Sequence, residues 1–163
     1  MIITAYAGTG KTTAAKLYPQ DVVDFVCMPY KYYLDEESDA KEDEARKANS
    51  NNVMRENWPW NYVAAIKEAT GKILLIPSDL NVLMFLQYEK IPYTLCYPQK
   101  EAKEIYHRRY VERGNTEEFI SIFIGGWEQR IQALEQDDYG SHIVLQGDQY
   151  LSDALSAVVF ARR

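Results

Sequence analysis

Short apolar runs alternate with longer stretches of helical spacing along most of the chain. That alternation predicts a layered α/β domain built on a parallel sheet. The opening Met1-Ile2-Ile3-Thr4 predicts a strand over about residues 1–5, and a helix over 11–17 ends before Pro19. Val22, Val23, Phe25 and Val26 mark a second strand over 21–26. The unbroken run Ile73-Leu74-Leu75-Ile76, closed by Pro77, reads as a third strand buried on both faces. A fourth strand is expected over 92–97 and a fifth from His142 to Leu145. Helices are expected between and after these strands. One runs over 59–69, opened by Pro59 and ended by Gly71; another covers 79–89, capped by Ser78 or Asp79. A charged helix over 99–113 stops at Gly114, and Asn115 with Glu118 then resembles a capping box. The helix it opens carries Phe119, Ile122, Phe123, Trp127, Ile131 and Leu134, with Gly125-Gly126 kinking it or admitting another backbone. A closing helix covers 149–160.

Residues 27–57 break this pattern. They lack apolar periodicity, and seven acids crowd into 35–47 against Lys41, Arg46 and Lys47. Glu42/Arg46 and Asp43/Lys47 lie at i,i+4, so part of the segment reads as a solvated helix or as disorder. This run holds most of the net charge of −6, since the rest of the chain carries 17 acids and 15 bases. Such a balance argues against sequence-independent nucleic-acid binding but not against small anions. The 163 residues, 47% hydrophobic, suit a single domain over 1–163. No apolar run reaches the length of a membrane span, and the N-terminal strand leaves no room for a cleavable signal. Cys27 and Cys96 in apolar stretches read as reduced, buried thiols of a cytoplasmic protein, and two histidines are too few for a zinc site. Two apolar helices and 13 tyrosines leave room for a homodimer.

The strongest chemical signal is Ala5-Tyr6-Ala7-Gly8-Thr9-Gly10-Lys11-Thr12, between the first strand and the first helix. Strand, glycine-bearing loop and Gly-Lys-Thr opening make a phosphate-binding loop (Walker A). Gly8 and Gly10 let the backbone curl its N–H groups around phosphate, Lys11 reaches the β and γ phosphates, and Thr12 can hold Mg²⁺. The expected nucleotide contacts run from Ala7 through Gly8, Thr9, Gly10, Lys11 and Thr12 to Thr13. Ala5 stands where the usual pattern has its first glycine.

Ligands of an open parallel sheet bind beyond the carboxyl ends of its strands. Asp24, near the end of the second strand, either orients an acceptor hydroxyl or is an exposed acid on an edge strand. Asp79, just past the third, either holds Mg²⁺ or caps the following helix. Arg109 and Arg113 share one helix face, while Arg108 points roughly 100° away. They read as cations at a transferring phosphoryl group, or as a solvated helix paired to Glu101, Glu104 or Glu112. Trp58, Trp60 and Tyr62 read as core rather than a base-stacking platform, and Lys100 and Lys103 as surface charge.

The N-terminal loop, the irregular 27–57 segment and the Arg109-Tyr110-Val111-Glu112-Arg113-Gly114-Asn115 helix resemble the nucleoside and nucleotide monophosphate kinase group of P-loop proteins. Through Trp127 and Tyr150-Leu151-Ser152-Asp153-Ala154-Leu155 the chain is also similar to short phage- and bacteria-encoded adenylate-kinase-like proteins. The resemblance implies a three-layer P-loop NTPase-type sandwich with a five-stranded parallel sheet in the order 2-3-1-4-5. Helices would cover both faces. It places an acceptor-side insertion at 27–57 and a lid-like helix at about 99–115, with Arg109 and Arg113 as lid arginines. The implied activity is an ATP–Mg²⁺-dependent kinase acting on a nucleoside, nucleotide or related metabolite, with Lys11, Asp24, Arg109 and Arg113 catalytic and Thr12 and Asp79 at the metal. The 27–57 segment offers only Arg46 and Arg55 to an acceptor phosphate, so the acceptor need not be a nucleotide. The competing class is an ATP-binding regulatory or scaffolding protein without phosphotransfer. The chain lacks an Asn-Lys-x-Asp motif, which argues against a guanine-nucleotide switch.

Overall fold

The computed structural model describes residues 1–34 and 50–160, so the acidic run 35–47, with Arg46, lies outside the described residues. In chain order the elements are β1 (Ile2–Ala5), α1 (Lys11–Leu17), β2 (Val22–Asp24), α2 (Met28–Lys31), β3 (Tyr32–Leu34) and β4 (Ser50–Met54). There follow α3 (Trp60–Glu68), β5 (Ile73–Pro77), α4 (Leu80–Tyr88) and β6 (Thr94–Pro98). A 3-10 turn (Lys100–Ala102) leads into α5 (Lys103–Glu112), α6 (Glu117–Gly125), α7 (Trp127–Glu135), β7 (Ser141–Leu145) and α8 (Leu151–Phe160).

Five strands form one parallel sheet in the spatial order β2-β5-β1-β6-β7. Ile3 of β1 faces Leu75 across one ladder and Thr94 across the other, so the first loop leaves from the middle of the sheet. The all-apolar strands feed two cores by their alternation. Ile2, Leu74 and Ile76 enter one core with Leu83, Tyr106 and Trp127; Ile3, Ala5, Ile73 and Leu75 enter the other with Ala14, Leu155 and Val159. Helices α1 and α8 therefore cover one face, and α3 to α7 the other.

Three expectations need correction. The first concerns 27–57. Residues 28–34 and 50–54 are regular, forming α2 and an antiparallel β3–β4 ribbon. Phe25, Tyr30, Trp58 and Tyr62 stack beneath it, and the Tyr62 hydroxyl donates to the Phe25 carbonyl. The second concerns the helix after Gly114, which is two helices. Gly126, at φ −96° and ψ 16°, closes α6 and opens α7. The turn sends Trp127 inward, fully buried, with its indole N–H on the Lys100 carbonyl at 2.8 Å. The α6 cap is Thr116, whose hydroxyl accepts from the Phe119 N–H, rather than Asn115. The third concerns Trp60, which is half exposed against Phe85 and not core.

The apolar excess of α4 becomes an exposed Leu80, Met84 and Tyr88 stripe. Lys100 and Lys103 pair with Glu135 and Glu128 at the surface, as expected of solvated charge. Among the described residues no helix is long and apolar enough to cross a membrane.

Candidate functional site

The loop from Tyr6 to Gly10 turns all its carbonyl groups toward protein donors. Tyr6 O accepts from the Thr9 N–H at 3.3 Å and the Thr9 hydroxyl at 2.8 Å. The Tyr110 hydroxyl donates to Ala7 O at 2.9 Å, and Arg109 Nη1 to Gly8 O at 3.2 Å. Thr9 O accepts from the Leu151 N–H at 2.8 Å, and Gly10 O from the Ala14 N–H at 2.9 Å. With the oxygens held on the protein side, the negative ends of the loop dipoles are withdrawn from the cavity above it. The first amides of α1 have no acceptor within the helix, and they open on the same side. Lys11 Nζ lies at 3.1 Å from the Ala5 carbonyl, at the base of this cradle.

Gly8 and Gly10 have φ of 82° and 90°. A Cβ on Gly8 would sit 2.8 Å from Tyr110 Cε1, and one on Gly10 3.0 Å from Tyr150 Cδ1. Both positions thus require glycine for conformation and for close approach. Ala5 needs no such freedom, because it ends β1 as ordinary strand paired with Pro77 and Cys96.

A cavity of about 1080 Å³ lies over the loop. Its walls carry six Lys or Arg side chains and three Asp or Glu, a positive surplus within an acidic protein. Ala7, Gly8, Gly10, Lys11, Thr12 and Thr13 all line it. Thr9 is fully buried and holds the loop from behind.

Asp24, Asp79, Arg109 and Arg113 line the same cavity, so the expected site residues converge, though not all in the expected manner. Asp24 lies on edge strand β2 but is turned toward the loop, accepting from the Thr12 hydroxyl at 2.6 Å through Oδ2. Its Oδ1 is buried without a hydrogen-bond partner. Asp79 caps α4, accepting from the Asn81 and Val82 amides, and pairs with Lys31 Nζ at 3.0 Å. Its carboxylate is committed to that scaffold; the acid on Thr12 is Asp24.

Arg109 departs furthest from expectation. It is 7% exposed, and besides Gly8 O its guanidinium donates to Asp148 O at 2.5 Å and Gln149 O at 3.2 Å. The rings of Tyr106 and Tyr150 lie 4.6 and 3.8 Å from its Cζ, one of several cation–π contacts in the fold. Arg109 therefore ties the loop at Gly8 to the segment after β7. Arg113, one turn on, is exposed at the cavity wall.

Several cavity residues had escaped the sequence reading. Lys31 lies within the stretch read as irregular; it reaches the wall over the Trp58 ring at 5.2 Å. Asp79 holds the Lys31 ammonium charged, outweighing its partial burial. Arg130, between Trp127 and Ile131, carried no signal of its own in the sequence. Tyr150 was detectable, because it follows the fifth strand and the carboxyl-end rule applies to it as well. Arg55, by contrast, donates to Tyr32 O at 3.2 Å and stacks on Tyr33, and it does not line the cavity.

Burial pushes the Tyr6, Tyr106 and Tyr110 hydroxyls above the usual phenol range, so they remain protonated donors at any ordinary pH. The Cys96 thiol is pushed up to about 12 by the same cause, in keeping with an inert buried thiol; Cys27 is also buried and in no disulfide. Among the described residues no group of three or more metal-ligating side chains occurs. Mg²⁺ asks for less, since it commonly uses one or two protein oxygens with phosphates and water. The Thr12 hydroxyl and the half-satisfied Asp24 carboxylate fit that demand.

Compared with known protein families and with characterised proteins, the chain matches none.

Proposed function

We propose that this chain is an ATP–Mg²⁺-dependent small-molecule kinase of the P-loop type. The observation that carries the reading is the orientation of the loop: carbonyls from Tyr6 to Gly10 are all taken by protein donors, and Lys11 lines the cavity at the loop's base. That is the electrostatic lining a triphosphate tail requires. The sheet supports it too. With the ribbon strands β3 and β4 left out of the count, β2-β5-β1-β6-β7 corresponds to the 2-3-1-4-5 order of P-loop kinases.

In this reading the loop amides and Lys11 bind the β and γ phosphates and stabilise the charge that grows on them during transfer. Mg²⁺ would be held at Thr12 beside Asp24, and when bound it supplies neutralisation of the phosphate oxygens. Asp24 Oδ1 accepts the proton of the acceptor hydroxyl, Arg113 faces the transferring group, and Arg109 keeps the loop in shape. The test is release of ADP from ATP across a panel of nucleosides, nucleotides and hydroxylated metabolites, with Lys11→Ala as control. Acceptor-dependent ADP release that the control lacks supports the reading; equal turnover in the control sinks it.

A second reading, an ATP-binding regulator without transfer, draws on one observation. Arg109, the first of the two lid arginines, is committed to three backbone carbonyls and so is not available to a phosphoryl group. Tight ATP binding by calorimetry, with no ADP release for any acceptor, would select it.

A further inference from the structure

The phosphate loop has a second face. Tyr6 lines the cavity but is only 2% exposed, and its hydroxyl is buried without a hydrogen-bond partner. A buried, unsatisfied hydroxyl is costly, and the ring cannot swing away to relieve it. Phe123 and Trp127 hold it edge-on, at 5.8 and 5.6 Å between ring centres.

Beside it stands a cation. Arg130 of α7 lies 5.0 Å over the Phe123 ring, exposed at the cavity wall, with no ion pair among the described residues. Phe119 stacks on Phe123 at 4.4 Å and extends the same wall as an apolar shelf. Among the described residues Asp24 Oδ1, at the end of β2, is the other atom of the cavity's lining residues that is buried and unpartnered. The two ends ask for opposite chemistry. Asp24 Oδ1 can only accept a hydrogen bond, whereas Arg130 donates and the Tyr6 hydroxyl stays a neutral donor. The volume exceeds the usual range for one small ligand, roughly 300–1000 Å³, and leaves room beside a nucleotide.

We propose that Tyr6 and Arg130 form the anion-binding end of the acceptor site, and that the acceptor is a hydroxylated anion lying between them and Asp24. Its phosphate or carboxylate meets Arg130 and the Tyr6 hydroxyl, its body rests on Phe119 and Phe123, and its hydroxyl donates to Asp24 Oδ1. The inference deepens the kinase reading and rests on it for the fate of that hydroxyl. As the alcohol oxygen bonds to the γ phosphorus, the bond from that phosphorus to the β–γ bridging oxygen breaks. The electron pair leaves with ADP, and the alcohol proton passes to Asp24.

The test is calorimetric titration without nucleotide. Quinate and gluconate probe for a carboxylate, and thymidine and adenosine monophosphates for a phosphate; thymidine, adenosine and ribose are the neutral controls. At least one anion should bind at least tenfold more tightly than the neutral compounds. Tyr6→Phe and Arg130→Met should each weaken it tenfold or more, with partial recovery in Arg130→Lys. Affinity for ATP should stay within twofold in all three variants. Neutral compounds binding equally well, no anion binding the wild type, or variants that leave anion affinity unchanged would each overturn the proposal. ATP titration of the wild type keeps the two ideas apart. If ATP does not bind while an anion still does, and with the same dependence on Tyr6 and Arg130, the kinase reading falls and the anion subsite stands.

Discussion

Two walls of the same cavity differ in how fully their polar atoms are used. On the side of α5 and the segment after β7, Arg109 and Tyr110 spend their side-chain donors on carbonyls of residues 7, 8, 148 and 149. Elsewhere on the cavity's lining, at two separate places, the Tyr6 hydroxyl and Asp24 Oδ1 are buried and unpaired. A satisfied network fixes one geometry, and a buried unsatisfied atom is stabilised only when something arrives to meet it. The first wall therefore holds the loop in shape, and the unpaired atoms elsewhere on the lining are where a ligand gains most.

The largest effect separates loop chemistry from loop shape. Lys11→Ala removes the ammonium and leaves every carbonyl contact from Tyr6 to Gly10 in place. Turnover should fall by about 10²–10³ or more, as for loss of one preorganised charge stabiliser. The thermal midpoint should stay near that of the wild type. Steady-state ADP release, with a melting curve on the same sample, checks both halves.

Arg109 and Arg113 sharpen the comparison, because they sit one turn apart on one helix. Arg109→Met leaves three carbonyls short of a donor and should cost about 2–4 kcal/mol of stability, raising KM for ATP as the loop loosens. Arg113→Met, at an exposed position, should change stability by no more than about 0.5 kcal/mol while lowering turnover. Urea denaturation beside kinetics decides it. Equal destabilisation by the two variants would mean that burial does not divide their roles.

Asp79, read as either a metal ligand or a helix cap, is likewise satisfied, as the α4 cap. Asp79→Ala removes the α4 cap and strands Lys31, so a loss of about 1–2 kcal/mol is expected. The Mg²⁺ concentration needed for half-maximal ADP release should not move. A large shift in that concentration would return Asp79 to the metal site.

Much of this arrangement was legible in the chain. Strands buried on both faces announce themselves as apolar runs, which is why β1 and β5 stood out, and the Gly8 and Gly10 spacing marked a tightly curled loop. What escaped depends on distant partners. Arg109 and Arg113 look alike in sequence; the segment after β7, some 40 residues away, buries one and leaves the other exposed. Tyr6 occupies a variable place in the loop pattern, and nothing local says that its hydroxyl will be enclosed. At Gly125-Gly126 the sequence showed a kink or a close approach but not a full break, because apolar spacing continues from Phe123 to Trp127 across it. Nothing local singled out Arg130 or Lys31, since each acquires its place in the cavity from residues remote in sequence.

The smallest expected effect carries the comparison to its sharpest point, because it concerns one oxygen atom on each wall. Tyr110→Phe removes a donor that the Ala7 carbonyl uses, and should cost about 1 kcal/mol. Tyr6→Phe removes a hydroxyl that nothing uses, so in the unliganded protein stability should be unchanged or slightly higher. Burial raises both phenols above their ordinary value near 10. Above that pH the unfolded chain loses protons that the folded one keeps, so each hydroxyl contributes a decline in stability as pH rises. That alkaline decline should be shallower in either variant, yet at pH 7 the two should move in different directions. Equilibrium unfolding at pH 7 and pH 10.5 measures both. A destabilised Tyr6→Phe at pH 7 would show that its hydroxyl is already satisfied in the folded chain, and the contrast between the walls would vanish.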